Sequence, residues 1–488
     1  MKYIISIDAG TTGITLLLID NSLNIIDKEY SEFNQIYPNP GWVEHDPDEI
    51  WQTTLKLLLR LITKHSEKTI TCIGITNQRE TTVLWNKITS KPLYNAIVWQ
   101  DRRTKNICNN LISEGYSSTF KSKTGLVIDS YFSGTKIKWI LNHGNDIPPN
   151  DQILFGTIDT WLIWKLTNRK EHKTDFTNAS RTLIFNIDDK CWDEELLNLL
   201  NIPKSILPEV CNSSYIFGYT EKKILSKKIP ISGVAGDQQS ALFGQMGFNK
   251  GDIKTTYGTG CFMLLNTGSD RINSKHGSLT TLACDFSGNP IYALEGSVFI
   301  GGAVIQWIRD ELGIIKNAKD SENIALSIND TNGVYIVPAF TGLGAPYWDM
   351  EARGLISGLT RGSNKNHIIR ASLESIAYQV YDLIESLKKD IDIDIDNMKV
   401  DGGASNNNFL MQFQSDILNI NITRPKNIET TALGAAILAG LKLKIWKDKD
   451  DLLEQCNIDK IFKPDIEKII RSNHIKGWKT AIQKTKES

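Results

Sequence analysis

The chain has 488 residues and nearly balanced charge, with 55 lysines and arginines against 56 aspartates and glutamates. This length predicts more than one domain, and the balance gives no electrostatic reason to expect nucleic acid or a membrane surface as a partner. The seven cysteines include no Cys-x-x-Cys pair, the seven histidines lack metal-ligand spacing, and no apolar run has membrane-spanning length. We therefore expect a cytoplasmic protein without disulfides, a zinc site or integral membrane association.

The first predicted element is a β-hairpin. Apolar runs at Tyr3–Ile7 and Ile14–Ile19 flank the turn Asp8–Gly13, and this pattern favours two strands joined by a turn. The turn offers backbone N–H groups and two hydroxyls, which suit phosphate oxygens. Taken alone, the pattern fits a hairpin that binds nothing equally well.

A helix and a strand follow. Asp46 is a capping residue before Pro47, which predicts a helix start. The apolar run Ile70–Ile75 predicts a strand that leads to the adjacent charges of Arg79 and Glu80. Ends of strands in α/β sheets are where ligands bind, although an adjacent Arg–Glu pair is more often a solvated surface pair.

The middle of the chain carries a single carboxylate, Asp237, between glycines in the segment Ser232–Gln239. Flanking glycines predict a sharp turn, and Ala241–Gly244 resembles the start of a helix. A lone aspartate at such a place is more often a helix cap than a catalytic residue.

The second half repeats this pattern of elements. Gly258-Thr259-Gly260 lies between two apolar runs and predicts a second hairpin, which suggests a duplicated architecture. Gly302 and Gln306 lie one helical turn apart. Gly402-Gly403 follows an apolar strand and precedes a helix, and helix N-termini after such turns favour anions. The chain has no P-loop, no complete Gly-x-Gly-x-x-Gly motif and no protein-kinase catalytic loop.

Seven segments together resemble the glycerol kinases of the FGGY carbohydrate-kinase family. They are Asp8–Gly13 (DAGTTG), Pro40–Pro47 (PGWVEHDP), Gly74–Thr81 (GITNQRET), Gly233–Gln239 (GVAGDQQ), Tyr257–Phe262 (YGTGCF), Gly342–Trp348 (GLGAPYW) and Asp401–Ala404 (DGGA). The similarity runs in order from the first strand to beyond Gly440. Each motif is weak alone, whereas the ordered set is specific.

The resemblance implies a two-lobed α/β ATPase fold of the actin, hexokinase and Hsp70 type, which is ribonuclease H-like and has its active site in the cleft between the lobes. We expect an N-terminal lobe at residues 1–246 and a C-terminal lobe at 247–488. The implied reaction is ATP-dependent phosphorylation of glycerol to sn-glycerol 3-phosphate in glycerol catabolism. The implied assembly is a homo-oligomer, either a dimer or a tetramer.

The resemblance also implies roles for individual residues. The residues expected to contact glycerol are Arg79, Glu80, Trp99, Tyr131, Asp237, Gln238 and Phe262, with Trp99 and Phe262 forming an apolar wall. The residues expected to contact ATP are Thr11, Thr12, Gly13, Thr259, Gly302, Gln306, Gly403 and Asn407. Asp237 is the expected general base, because an ionised carboxylate within reach can accept the hydroxyl proton. Mg²⁺ is expected to contact Asp8 or Asp237 through water.

Two departures and three alternatives remain. Ile14-Thr15 stands where the family pattern has a basic residue, which predicts weaker nucleotide affinity, and the short lysine-rich segment 221–228 gives no basis for allosteric control. The alternatives are a kinase for another small polyol or a sugar such as xylulose, an actin- or Hsp70-like ATPase used for assembly, and an inactive relative that only binds. The Arg79–Glu80 pair favours the small triol, and the presence of both Asp8 and Asp237 argues against an inactive relative.

Overall fold

The computed structural model describes residues 2–144, 146–349 and 351–487. The chain forms two compact units, of which unit 1 comprises Met1–Phe248, Thr280–Ala293 and Thr430–Cys456. Unit 2 comprises the segments Asn249–Leu279, Leu294–Glu429 and Asn457–Ser488. Two segments of the second half of the sequence thus belong to unit 1. The lobe boundary expected between residues 246 and 247 stays a prediction.

The helices and strands of the described residues are numbered here in chain order. The strands are β1 (Tyr3–Ala9), β2 (Gly13–Ile19), β3 (Ile25–Glu32), β4 (Glu44–His45), β5 (Ile70–Asn77), β6 (Val83–Asn86), β7 (Ala96–Ile97), β8 (Ile153–Gly156), β9 (Lys173–Asp175), β10 (Phe185–Asn186), β11 (Cys191–Trp192), β12 (Glu209–Cys211), β13 (Gly218–Tyr219), β14 (Pro230–Gly236), β15 (Ile253–Tyr257), β16 (Cys261–Gly268), β17 (Leu279–Cys284), β18 (Pro290–Val298), β19 (Tyr335–Val337), β20 (Leu355–Ser357), β21 (Asn397–Asp401), β22 (Asn421–Pro425) and β23 (Ile458–Phe462). The α-helices are α1 (Pro47–His65), α2 (Lys105–Ser113), α3 (Ser117–Thr124), α4 (Ser133–His143), α5 (Ile158–Leu166), α6 (Phe176–Ala179), α7 (Glu194–Leu200), α8 (Asp237–Gly244), α9 (Ala303–Asp310), α10 (Asp320–Leu326), α11 (Lys365–Asp390), α12 (Asn408–Leu418), α13 (Thr430–Lys442), α14 (Lys449–Leu453) and α15 (Lys468–Glu487).

Unit 1 is built on a six-stranded sheet with the order β13-β14-β5-β1-β2-β3. The β1–β2 pair is antiparallel, which confirms the first predicted hairpin. Strand β5 runs parallel to both β1 and β14, so the carboxyl ends of these three strands meet at one edge of the sheet. The predicted helix start is confirmed as well, because the Asp46 side chain accepts a hydrogen bond of 2.8 Å from Asp48 N at the beginning of α1.

Helix α13 packs against this sheet at unusually close range. A Cβ atom at Gly434 would lie 1.8 Å from the carbonyl oxygen of Ser240 in α8. A Cβ at Gly74 of β5 would lie 2.1 Å from Ala435 O, and one at Gly233 of β14 would lie 2.3 Å from Ala439 N. Glycine is therefore required at these positions because the backbones themselves are in contact.

This packing corrects one local prediction. The glycine-rich segment before Asp237 is the strand β14, and helix α8 begins at Asp237 itself rather than at Ala241. The glycines were interpreted as turn formers, whereas Gly233 makes room for α13 and Gly236 makes room for a side chain of the site described below. A tertiary contact thus outweighs a local turn signal.

Unit 2 contains a sheet in which β18, β16, β15, β21, β22 and β23 are successive neighbours. Strand β15 is antiparallel to β16 and parallel to β21, and β21 is parallel to β22. The second predicted hairpin is therefore confirmed, and the arrangement of a hairpin beside two parallel strands repeats that of unit 1. Helix α11 supplies much of the hydrophobic core of unit 2, with Ile369, Leu373, Ile376 and Val380 buried. Within the described ranges, no helix is long and apolar enough to cross a membrane.

Candidate active site

The ends of two neighbouring strands of unit 1 bring opposite charges together. Strand β5 ends at Asn77 and leads to Arg79 and Glu80, and β14 ends at Gly236 immediately before Asp237. Arg79 Nε lies 3.0 Å from Asp237 Oδ1. Three of the residues expected to contact the acceptor substrate are thus adjacent in space, although Asp237 lies more than 150 residues after Arg79 in the sequence.

Arg79 is the buried centre of this cluster, with 3 % of its surface exposed. Its Nη1 donates a hydrogen bond of 3.2 Å to Gln239 Oε1, and its Nη2 lies 3.5 Å from the Tyr131 hydroxyl. A Cβ at Gly236 would lie 2.7 Å from the Arg79 side chain, so only glycine leaves space for the arginine. A guanidinium held from several sides is a rigid donor for substrate hydroxyls.

Glu80 lies beside Arg79 and is paired with a second arginine. Its backbone has a φ of 60°, and its carbonyl oxygen accepts hydrogen bonds of 3.0 Å from Ser133 Oγ and Thr82 Oγ1. Arg181 Nε donates to Glu80 Oε1 at 2.7 Å, and both side chains are buried. These contacts hold a non-glycine residue in the left-handed region, a conformation often associated with functional sites.

Arg181 and Gln239 were missed by the sequence analysis. Arg181 lies 101 residues after Glu80, and no local pattern links the two. The available signal is the polar run from Asp175 to Thr182, in which a buried arginine follows a helix cap. A buried charge requires a partner of opposite charge, so this run could have been examined as part of a site.

Aromatic rings line the cluster. The rings of Trp99 and Tyr131 meet edge to face, with centroids 5.6 Å apart, and Arg181 Cζ lies 5.6 Å from the Tyr131 ring centroid. Lys136 Nζ donates a hydrogen bond of 2.7 Å to the Tyr131 carbonyl oxygen. Complete burial lowers the pKa of Lys136 to about 7. The predicted positions of Trp99 and Tyr131 beside Arg79 agree with this geometry.

Asp237 is the most accessible charge of the cluster, with 28 % of its side chain exposed. It lies in the first turn of α8, where the partial positive charge of the helix N-terminus favours a carboxylate. Oδ1 also accepts a hydrogen bond of 2.7 Å from Gln238 N. The preceding peptide is fixed because Gly236 N donates to Thr177 Oγ1 at 2.8 Å. An exposed, oriented carboxylate of this kind can accept a proton from a bound hydroxyl.

The turn of the first hairpin lies next to the aromatic residues. Gly10 N donates to Gly13 O at 3.0 Å and closes the turn, and Trp99 Nε1 donates to Thr11 Oγ1 at 3.0 Å. Thr12 is exposed, and Asp8 is half-buried at the carboxyl end of β1. Trp99 therefore connects the charged cluster to the turn that the sequence predicts to bind phosphate.

The nucleotide residues predicted in the second half converge within unit 2. Gly302 N donates to Gly258 O at 2.8 Å, and Gly301 N donates to Thr259 O at 2.7 Å. A Cβ at Gly302 would lie 2.7 Å from Gly258 O and 3.7 Å from the Ala404 Cβ. The second hairpin turn, the start of α9 and the glycine pair 402–403 are therefore adjacent.

The remaining predicted residues of unit 2 occupy distinct positions. Gln306 and Gly403 are exposed, and a Cβ at Gly403 would meet no atom within 4 Å. Asn407 caps α12, accepting a hydrogen bond of 2.9 Å from Leu410 N. Phe262 is half-buried on β16, opposite Thr256 of β15. In the part of the chain that the structure describes, no group of three or more His, Cys, Asp or Glu residues is arranged to hold a metal ion.

The fold and these sites define a class of protein. Two α/β units, each with a hairpin beside parallel strands and a Gly-Thr turn, form the ribonuclease H-like fold of ATP-dependent sugar kinases, as expected from the sequence. Family models of FGGY carbohydrate kinases match both halves, the N-terminal domain at residues 3–244 and the C-terminal domain at residues 253–443. The chain belongs to the FGGY family of carbohydrate kinases.

Several relatives match nearly the whole chain. A glycerol kinase from Caldanaerobacter subterraneus subsp. tengcongensis is 55% identical over 99% of this chain and 98% of its own length. A glycerol kinase from Clostridium perfringens is 55% identical over 100% of this chain and 99% of its own. The crystal structure of Plasmodium falciparum glycerol kinase with ADP is 38% identical, with a TM-score of 0.92, covering 99% of this chain and 98% of that one. A xylulose kinase from Lactobacillus acidophilus, at 24% identity and a TM-score of 0.88, shares the fold over 99% of this chain and 97% of its own.

Proposed function

We propose that this enzyme is a glycerol kinase that transfers the γ-phosphoryl group of ATP to glycerol, yielding sn-glycerol 3-phosphate and ADP. The observation that carries the proposal is the cluster of Arg79, Glu80, Asp237 and Arg181 beside the rings of Trp99 and Tyr131. Two glycerol kinases that are 55% identical over the full chain support the same acceptor. Glycerol carries a hydroxyl on each of three carbons, so several paired donors and acceptors are needed to hold it in one orientation.

The acceptor hydroxyls bind to the charged cluster. Arg79 supplies donors, Glu80 supplies an acceptor, and the Tyr131 hydroxyl and the Gln238 side chain complete the polar set. Trp99 and Phe262 contact the carbon chain of glycerol. Arg181 orients Glu80 through the 2.7 Å contact between Nε and Oε1. A site built to pair every hydroxyl discriminates strongly against analogues that lack one.

Asp237 acts as the general base. Its carboxylate accepts the proton of the terminal glycerol hydroxyl as that oxygen bonds to the γ-phosphorus and the bond to ADP breaks. Arg79 holds Oδ1 from one side, and 28 % of the side chain remains accessible to substrate. Catalysis of phosphoryl transfer relies mainly on such positioning and on neutralisation of charge.

The nucleotide contacts come from both units. Thr11, Thr12 and Gly13 in unit 1 and Thr259 in unit 2 bind the phosphates, and the other nucleotide contacts come from Gly302, Gln306, Gly403 and Asn407. Mg²⁺ would neutralise the phosphate oxygens, and the oxygen ligands that this ion prefers fit Asp8 and Asp237, which would contact it through water. The cytoplasmic location and the homo-oligomeric state expected from the sequence stay predictions.

The decisive experiment measures ADP release with Mg-ATP and a panel of acceptors. The panel contains glycerol, 1,2-propanediol, 1,3-propanediol and xylulose, and the Asp237→Asn variant serves as the control for contaminating kinases. We expect glycerol to exceed each propanediol by a factor on the order of 10⁴ in kcat/KM. Equal turnover of xylulose would make the protein a sugar kinase of the same family. ADP release that does not depend on any acceptor would instead indicate an ATPase.

A further inference from the structure

His45 is a buried histidine that connects to the first hairpin turn through two glutamines. It is the second residue of β4, its side chain is fully buried, and its ring meets Phe33 edge to face with centroids 4.9 Å apart. His45 Nε2 lies 2.8 Å from Gln35 Oε1, and His45 Nδ1 lies 3.3 Å from Gln78 Nε2. It belongs to the segment Pro40–Pro47, to which the proposed function assigns no role.

The network allows a single tautomer of His45. Gln35 Nε2 donates to Thr11 O at 3.0 Å, so its Oε1 faces the histidine and accepts a hydrogen bond from Nε2–H. Gln78 Oε1 accepts from Thr81 Oγ1 at 2.9 Å, while Gln78 Nε2 donates to Gly10 O at 3.1 Å and to His45 Nδ1. Burial lowers the pKa of His45 to about 4, so the ring is neutral at neutral pH, as this arrangement requires.

The two arms hold two consecutive carbonyl groups of the turn. One arm runs from His45 through Gln78 to Gly10 O, and the other runs through Gln35 to Thr11 O. In a trans peptide the C=O of one residue and the N–H of the next point in opposite directions. Fixing the carbonyls of Gly10 and Thr11 towards the protein therefore directs the N–H groups of Thr11 and Thr12 away from it. Successive N–H groups aimed in this way form an anion-binding concavity.

We propose that His45 is a positioning residue that, through Gln35 and Gln78, aims the amide groups of the turn Gly10–Gly13 at the nucleotide phosphates. The inference rests on the proposed function, which assigns this turn to ATP. It gives the enzyme a support for phosphate binding that is itself uncharged. Such a support gains importance here because Thr15 stands where the family pattern has a basic residue.

The test compares nucleotides that differ only in their number of phosphates. Binding of adenosine, ADP and a non-hydrolysable ATP analogue to the full-length His45→Phe variant and to the wild type is measured by calorimetry. Phenylalanine keeps a ring against Phe33 but makes neither hydrogen bond. Loss of two buried arms should weaken binding of ADP and of the analogue about tenfold and leave adenosine unchanged. An equal loss for all three ligands, or no loss, overturns the proposal.

Graded variants separate positioning from general destabilisation. His45→Gln keeps a donor near the position of Nε2 and His45→Asn keeps an acceptor near that of Nδ1, so each should restore part of the phosphate-dependent affinity. His172→Phe is the matched control, because His172 also has its pKa lowered to about 4 by burial and hydrogen-bonds Phe155 O at 2.7 Å, away from the turn. It should leave all three affinities unchanged. A phosphate-dependent loss in His172→Phe as large as that in His45→Phe would contradict the proposal.

Two further results keep the outcome decisive. If His45→Phe does not fold, Gln35→Met cuts only the arm to Thr11 from a half-buried position, and its ADP affinity decides in the same way. Glycerol phosphorylation by the wild type is measured separately. A wild type that binds the ATP analogue more tightly than adenosine but phosphorylates no glycerol refutes the proposed acceptor and leaves the role of His45 to the binding data.

Discussion

The two hairpin turns of this kinase have similar sequences but are held by different means. In unit 1 the carbonyls of Gly10 and Thr11 accept hydrogen bonds from the side chains of Gln78 and Gln35. In unit 2 the carbonyls of Gly258 and Thr259 accept hydrogen bonds from backbone N–H groups at the start of α9. The first turn therefore depends on the identity of distant side chains, whereas the second depends on glycines that let two backbones approach.

The strand ends differ in the same sense. In unit 1, β5 and β14 lead directly to Arg79, Glu80 and Asp237. In unit 2 the corresponding parallel strand β21 leads to Gly402, whose φ is 83° and whose Cβ would lie 2.6 Å from Tyr257 O. One arrangement of strands has thus been given charged groups in unit 1 and open backbone in unit 2. The difference shows that a repeated sheet can carry chemistry in one copy and space for a ligand in the other.

The largest effect is expected if unit 1 supplies the chemistry. Asp237→Asn keeps the size of the side chain but removes the proton acceptor, so kcat should fall by about 10²–10⁴ while glycerol and ATP still bind. Asp8→Asn should instead weaken Mg²⁺ binding, so its defect should shrink as magnesium is raised. Rates measured against magnesium at saturating glycerol distinguish the two variants. An identical magnesium response, or near-normal turnover of Asp237→Asn, would refute these roles.

An intermediate effect is expected from added methyl groups in unit 2. Gly302→Ala places a Cβ 2.7 Å from Gly258 O, so the turn must shift, and the free energy of unfolding should fall by about 1–3 kcal/mol. Gly403→Ala meets no atom within 4 Å and should leave stability unchanged while raising the KM for ATP. Urea unfolding and steady-state kinetics measure the two quantities. An unchanged KM in Gly403→Ala would remove Gly403 from the nucleotide site.

The smallest effect concerns pH. His45 has a pKa of about 4 in the folded protein and about 6.5 when unfolded, so the unfolded chain binds the proton more readily between these values. The stability contributed by neutral His45 is present above pH 6.5 and is lost as the pH falls towards 4. Between pH 7 and pH 5.5 the wild type should lose about 1 kcal/mol more unfolding free energy than His45→Phe. Parallel losses in the two proteins would show that this histidine does not sense pH.

Much of the fold could be predicted from local patterns. Both hairpins follow from apolar runs around Gly-Thr turns, and α1 follows from Asp46 and Pro47 at its start. These signals are local because turn geometry and helix capping depend on a few neighbouring residues. The resemblance of the ordered motifs added the family, which the matches to residues 3–244 and 253–443 confirm.

The remaining features depend on contacts that a single sequence does not reveal. The pairing of Glu80 with Arg181 spans 101 residues, and the contact of Arg79 with Gln239 spans 160. The same limit explains why Gly233 was interpreted as a turn residue, since its reason lies in α13, about 200 residues later. Of the predicted site, Arg79, Glu80, Trp99, Tyr131 and Asp237 are grouped in unit 1. Their individual roles stay predictions.

The place of α13 in unit 1 also has a consequence for the synthesis of the protein. A ribosome that has completed Phe248 has not yet made residues 430–456, which belong to the same unit. At about 5–20 residues per second, translation from residue 248 to residue 456 takes on the order of 10–40 s. During that time Cys72 and Ala235, which are buried in one cluster with α13, have no helix to cover them. The nascent N-terminal half is therefore a natural client for chaperones, and expression of residues 1–248 alone should yield aggregates.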